Sequence, residues 1–318
     1  MLPVILDVDT GVDDALALLV AARHPDLDLL AVSCVAGNAG LEQVVENTLR
    51  ILDVAGAAEI PVAAGARRPL IAPARSASHV HGSDGLGGIA LPASERSVDP
   101  GGAVEMLRRV ILGHPEPVTV VALAPQTNLA LLLRTHPEVA DNIRRIVFMG
   151  GSASGGNATA VAEFNVWHDP EAAAIVLDAG VETFMYGLDV FTRVAIPEAD
   201  ADELAARSDP LARTVGELLT RRVAAGPGLV TEYTGLIGDA GAVCALVDPD
   251  ALRIERLPVS VELAGTARGQ TLVDRRTRQG EDALHGGLAA WPLVDVALEV
   301  DERRLAGVFL DALGLRAG

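Results

Sequence analysis

Residues 3–23 read PVILDVDTGVDDALALLVAAR, and their reading decides the fold. PVILD is the short apolar run of a strand buried on both faces, and GVDDALALLVAAR has the length and composition of a helix. Gly11 between them permits the tight turn, and Asp13 and Asp14 fall in the first helical turn, where the dipole and the free N–H groups favour negative charge. Four aspartates, Asp7, Asp9, Asp13 and Asp14, therefore crowd the carboxyl end of a strand, which is where open α/β sheets place ligands. A capped helix accounts for one or two of these carboxylates. Asp7 and Asp9, on the strand side, have no such role, and a hard divalent cation such as Ca²⁺ or Mg²⁺ is the natural offset to their repulsion.

The same rhythm continues downstream. Asp28–Val35, Val118–Leu123, Ile143–Met149 and Glu182–Tyr186 read as further buried strands, and 41–55, 102–114, 127–135 and 170–179 as helices between them. Strand and helix alternating in this way predict an α/β fold, with an open, mostly parallel central sheet flanked by helices. From about residue 197 to 237 the pattern is helical with polar interruptions and no evident strand, so a helical insert is expected there. An apolar helix at DAGAVCALVDPD, an antiparallel pair formed by RIERLPVSVEL and RGQTLVDRR, and a helix near Glu302–Leu313 complete the reading. No linker or repeat divides the 318 residues, which predicts one domain over 1–318.

Composition narrows the function. Half the residues are hydrophobic but only nine are aromatic, so the core is aliphatic. The formal charge is −18, and all 25 basic residues are arginine. Such a field repels phosphate backbones and anionic lipid, which argues against nucleic-acid or membrane partners, while it suits a divalent cation. Cys34 and Cys244 lie in apolar runs and read as small buried hydrophobes. No apolar stretch approaches the roughly 18 residues of a membrane span, and no signal-peptide pattern opens the chain, so a cytoplasmic protein is expected.

Other strand ends carry small residues and amides: VAGNAG at 35–40, LAPQTN at 123–128, and MGGSASGGNATAVAEFNVWHDPEAA at 149–173. Asn38, Asn157, Glu163 and Asn165 there suit a polyhydroxyl ligand, where a phosphate site would call for Lys, Arg or a glycine nest. DVDTGVDDA, Gly37-Asn38, HGSDGLGG at 81–88, PQTN at 125–128, MGG at 149–151, GNATAVAEFNVWHDPEAA at 156–173, DAG at 239–241 and RGQTLVD at 268–274 occur in one order across nearly the whole chain. In these motifs the sequence resembles the inosine-uridine-preferring nucleoside hydrolases.

That resemblance implies a Rossmann-like nucleoside hydrolase fold and calcium-dependent cleavage of the N-glycosidic bond of purine or pyrimidine nucleosides, as in salvage. It implies that Asp9, Asp14, Asp239 and the backbone carbonyl of Leu123 hold the Ca²⁺, with Asp9 also the base that takes a proton from water. Asp13, Asn38 and Asn165 are expected on the ribose 2′ and 3′ hydroxyls, and Met149, Asn157 and Glu163 at the 5′ hydroxyl. Asp7 is expected to support the metal site from behind. A nucleoside substrate and a homodimer or homotetramer follow from the same resemblance.

One position departs from the pattern. Where many members carry His-Asp, the histidine serving as proton donor to the base, this chain reads Gly238-Asp239. His81, His79 and Tyr233 are the substitutes the sequence offers, since an acid must reach the departing nitrogen through one hydrogen bond or one water. His24, His114 and His136 each precede proline and read as helix exits. Trp167 is expected to pack in the core, with the wall of the base pocket as the alternative. Two other functions fit parts of the sequence: a riboside-binding homologue weakened by Gly238, and a haloacid-dehalogenase-type phosphatase using Asp7 as nucleophile. The phosphatase requires a cation, usually lysine, on the phosphoryl group.

Overall fold

The structure is a computed structural model that describes residues 1–224, 231–278, 280–281 and 291–316. Its first strand, β1 (Leu2–Val8), is apolar except for Asp7 and is followed by α1 (Val12–Arg23). Then come β2 (Leu27–Cys34), α2 (Leu41–Ala55), β3 (Val62–Ala64), the short α3 (Ser78–His81), α4 (Gly102–Gly113), β4 (Val118–Ala122), α5 (Thr127–Thr135) and β5 (Ile143–Met149). The chain continues through α6 (Phe164–His168), α7 (Pro170–Leu177), β6 (Thr183–Tyr186), α8 (Leu188–Phe191), α9 (Glu198–Ala205) and α10 (Pro210–Leu219). Strands β7 (Arg222–Ala224) and β8 (Thr231–Tyr233), α11 (Ala240–Val247), β9 (Leu252–Val261), β10 (Thr271–Val273), β11 (Leu293–Val300) and a helix at Glu302–Ala312 follow.

Nine strands form one sheet in the order β10-β9-β11-β6-β5-β4-β1-β2-β3. Strands β1 to β6 pair in parallel, β11 joins parallel to β6, and β9 and β10 add antiparallel at the far edge. The order 3-2-1-4-5-6 reverses direction between β1 and β4, and the crevice outside the carboxyl ends of those two strands is the topological switch point. Asp7 and Asp9 stand there. The junction is tied by the Leu123 amide, which donates to the Asp7 carbonyl at 2.8 Å.

Two aliphatic layers sandwich the sheet. Helices α1, α2, α10 and α11 and the helix Glu302–Ala312 cover one face, and α4, α5 and α7 the other. The run from Asp14 to Ala21 on α1 is buried all round, because α2 and α11 flank the helix that the sheet already covers. His24, His114 and His136 cap the carboxyl ends of α1, α4 and α5, where the proline after each stops the helix.

Three details differ from expectation. The 197–237 segment holds helices α9 and α10 but also an antiparallel hairpin of β7 and β8, each three residues long and too brief to leave a periodic signal. Strand β3 is equally short. Strand β11 was not anticipated: LVDVALEV carries only Asp295 and Glu299 among apolar residues, so no strict polar–apolar alternation marks it as a strand. Among the described residues, no helix is long and apolar enough to cross a membrane.

Candidate active site

The turn from β1 into α1 sets the floor of the site. Asp14 occupies the third position of α1 and reaches back, accepting from the Gly11 amide at 2.9 Å and from the Asp9 amide at 3.2 Å. Its carboxylate is thus fixed by the helix N-terminus. Asp9 accepts from the Asn38 backbone amide at 2.7 Å and from the Asn38 side chain at 3.1 Å, and the same Asn38 Nδ2 bridges to Asp14 at 3.1 Å. Gly37 is required beside them, because a Cβ there would overlap Asp9 Oδ2. Asp7 lies behind: Ser33 Oγ donates to it at 2.5 Å and Asn128 Nδ2 at 2.8 Å. Asn128, from the PQTN motif, also donates to the Cys34 carbonyl and accepts from the Ala66 amide, so it locks the ends of β2 and β3 to β1. Both Cys34 and Cys244 are buried and free.

Asp239, at the start of α11, meets this floor from the other side. Among the described residues, carboxylate oxygens of Asp13, Asp14 and Asp239 lie within 4.8 Å of one another and form a group able to hold a metal ion. Asp13 Oδ1 and Asp239 Oδ1 are sealed from water without a hydrogen-bond partner. Burial first, and then the charges of Asp13, Asp14 and Asp9, push the Asp239 carboxyl well above the ordinary range. Burial and Asp14 do the same to Asp9, while burial and Asp13 push Asp14 to about 7. Two orphaned buried oxygens among mutually repelling carboxylates are the signature of a cation site, and an all-oxygen donor set suits a hard divalent ion.

Above the acidic floor is a cavity of about 570 Å³, in the range of small-molecule sites. Asp13, Asn38, His81, Leu123, Met149, Asn157, Glu163, Asn165 and Asp239 all line it. Asn165 Nδ2 donates to the carbonyls of Leu123 (2.9 Å) and Met149 (3.1 Å). Glu163 caps α6, accepting from the amides of Asn165, Val166 and Gly151, and burial lifts its carboxyl to about 7. Asn157 Oδ1 accepts from the Phe164 amide. Asp9, Asp14 and Asp7 are fully buried beneath the cavity surface.

The candidate acids separate. His81 lines the cavity; its Nδ1 faces the Val12 amide at 3.2 Å and Asp13 Oδ1 at 3.8 Å, which leaves Nε2 as the ring nitrogen placed to pass a proton to a ligand. Tyr233 does not line the cavity. Its hydroxyl donates to the Ile196 carbonyl at 2.6 Å, and burial pushes it up to about 12. The side chain of His79 and the whole of His285 lie outside the described residues. Trp167 lines the cavity rather than the core, with the Arg75 guanidinium 3.9 Å above its ring. Arg75, Phe191, Leu218 and Arg221 also line it and carried no motif that singled them out.

Gly238 has φ +52°, and a Cβ there would lie 2.5 Å from Asp13 Cβ and 3.2 Å from the Phe191 ring. The departure from histidine is therefore built into the backbone. Gly238→His is expected to reduce nucleoside cleavage at least about tenfold and to lower Tm, because the left-handed conformation alone costs a side chain roughly 1–2 kcal/mol. Ribose release and thermal melts of the variant check this, and a gain in either overturns it.

The comparisons with known proteins agree with this geometry. The profile of the family described as "Inosine-uridine preferring nucleoside hydrolase" matches residues 4–306. A protein of Enterobacter sp. (strain 638), described as a pyrimidine-specific ribonucleoside hydrolase RihA, is 42% identical over 275 residues, covering 86% of this chain and 88% of that protein. The solved structure of a plant nucleoside hydrolase, the PpNRh1 enzyme, superposes with a TM-score of 0.86 at 30% identity and 98% coverage of both chains. A purine-preferring ribonucleoside hydrolase from Gardnerella vaginalis superposes with a TM-score of 0.84 at 29% identity, again over 98% of each. With the family profile matched over residues 4–306 and a relative 42% identical over 86% of the chain, the chain belongs to the inosine-uridine preferring nucleoside hydrolase family and is a nucleoside hydrolase.

Proposed function

We propose that the chain hydrolyses pyrimidine ribonucleosides to free base and ribose, with a calcium ion held by Asp9, Asp14, Asp239 and the Leu123 carbonyl. The observation that carries this reading is the pair of orphaned carboxylate oxygens, on Asp13 and Asp239, at the bottom of a nucleoside-sized cavity. A hard divalent ion in that position supplies an acidified, oriented water. The rest is done by side chains.

Asp13 accepts hydrogen bonds from the ribose hydroxyls, and Asn38 and Asn165 hold the same edge of the sugar. Asn165 spends both of its N–H groups on backbone carbonyls, which leaves Oδ1 to accept from a hydroxyl. Glu163, Asn157 and Met149 form the wall that takes the 5′ end. Asp9 receives the proton of the attacking water. Carboxylates packed around C1′ favour the positive charge that grows on the sugar as the bond to the base lengthens. His81 Nε2–H supplies the proton to the base.

The pyrimidine assignment rests on the Enterobacter relative, described as pyrimidine-specific, at 42% identity; the purine-preferring Gardnerella structure stands at 29%. Free ribose is measured from uridine, cytidine, inosine and adenosine, with a metal-stripped control. Uridine and cytidine are expected to give kcat/KM at least about tenfold above the purines. No ribose above the control sinks the hydrolase reading for these substrates, and purines in first place overturn the pyrimidine assignment alone.

A further inference from the structure

Gly238 leaves the wall of the cavity next to Asp13 without a side chain, yet the departing base still needs a group that accepts its negative charge. Arg221, just beyond the end of α10, lines the same cavity. Its side chain lies against the glycine-rich loop that carries His81: a Cβ on Gly87 would overlap its Cδ and Nε, and one on Gly82 would lie 3.2 Å from its Nη2. The loop sequence HGSDGLGG thus makes room for a guanidinium beside the histidine.

Two facts distinguish this arginine from the other cation in the cavity. Arg75 is already engaged, stacked on Trp167 and donating to its carbonyl. Arg221 Nη1 is buried without an acceptor among the described residues. Asp84 is close enough to act on its charge, but Asp84 Oδ2 already accepts from the Gly88 amide at 2.8 Å, and burial makes the Arg221 cation harder to keep than an ordinary one. A desolvated guanidinium with an unspent N–H is costly unless a ligand brings an acceptor. Because Arg221 lines the cavity, a turn at the end of its side chain would present that N–H to a ligand.

Resting on the hydrolase reading above, we infer that Arg221 is the residue that selects and discharges the base: its guanidinium donates to an oxo oxygen of the base and carries the negative charge formed on departure. The bond from the water oxygen to C1′ forms as the C1′–N bond breaks, and the electron pair of that bond stays on the base. One water proton goes to Asp9, the base nitrogen takes one from His81, and solvent restores both residues. Arg221 exchanges no proton. Because guanidinium is a donor only, it matches bases with an oxo group, such as uracil, and not the amino edge of adenine.

The test separates binding from turnover. Pseudouridine, whose uracil is joined through carbon and is not hydrolysed, and free ribose serve as binding probes for wild type, Arg221→Leu and Arg221→Gln. Both variants are expected to bind pseudouridine about tenfold more weakly and ribose unchanged, and the Gln variant reads the same quantities if the Leu variant fails to fold. Uridine kcat/KM should fall about 100-fold, the scale of one lost transition-state donor, and adenosine kcat/KM less than about fivefold. The turnover loss exceeds the affinity loss because the charge on the base exists only as the bond breaks. Unchanged pseudouridine affinity, or equal losses for pseudouridine and ribose, overturns the inference and makes Arg221 a brace for the loop. Failure of the hydrolase reading shows instead as wild type that releases no ribose while its pseudouridine binding still depends on Arg221.

Discussion

Asp239→Asn is expected to lower kcat/KM for uridine by roughly 1,000-fold, the upper range for removing one preorganised electrostatic group, while leaving the metal-free protein as stable as wild type or more so. The two effects have opposite signs because the carboxylate serves the ligand and not the fold. Asp239 makes no side-chain hydrogen bond at the start of α11, its Oδ1 is orphaned, and its charge is opposed by Asp13, Asp14 and Asp9. Asparagine keeps its shape, removes its repulsion and withdraws one anionic ligand. Calcium titration calorimetry should show affinity reduced at least about tenfold, and melts in EDTA a Tm no lower than wild type. An unchanged kcat/KM would remove Asp239 from the site, and a lower Tm in EDTA would make it structural. Asp14→Asn makes a useful contrast, since Asp14 also accepts from the amides of Gly11 and Asp9 and its loss should weaken the turn into α1.

Residues 3–23 were legible because a doubly buried strand and a fully buried helix are both continuous in sequence, and the glycine between them marks the turn. The strand-end amides were legible for the same reason: a parallel sheet brings the carboxyl ends of its strands to one edge, so Asn38 and Asn165 meet Asp9 and Leu123 without any long-range guess. What failed depends on contacts that local pattern does not encode. Tyr233 and His81 looked equivalent as acids until the fold turned one hydroxyl towards Ile196 and one ring towards Asp13. Trp167, whose local run leaves core and base pocket both open, stands at the cavity under Arg75. Arg221 sits in an unremarkable Thr-Arg-Arg stretch and gains meaning only because α10 delivers it to a glycine loop more than 130 residues earlier. Among the carboxylates, the group that converges geometrically contains Asp13, whereas the resemblance counts Asp9 among the ligands; Asp9 lies one layer deeper, clasped by Asn38.

In EDTA the protein is expected to lose stability as pH rises from about 5.5 to 8, with Tm falling by at least about 5 °C, on the scale of a few kcal/mol for a chain of this size. Burial raises Asp7 and Asp14 from 3.8 to about 7 and Glu163 from 4.5 to about 7, and lifts Asp9 and Asp239 as well. A carboxyl whose folded-state pKa is raised binds its proton more tightly in the native state, so its contribution is complete below the unfolded pKa and disappears as pH climbs through about 7. Each unit corresponds to about 1.4 kcal/mol, and neighbours that repel do not contribute independently. Below about pH 5 the opposite class takes over: Asp274, held at about 2 by Arg276, together with Glu171 beside Arg268, favours the folded state only while ionised. Millimolar calcium should restore the part of the loss that belongs to Asp9, Asp14 and Asp239, since the cation replaces their protons. It should leave the part that belongs to Asp7, whose partners are Ser33 and Asn128, and to Glu163, whose partners are backbone amides. Asp7→Asn is then expected to flatten the residual slope that calcium does not correct. A Tm in EDTA that stays level from pH 5.5 to 8 would mean that the acidic floor holds its full charge without a cation, and the case for a metal there would fail with it.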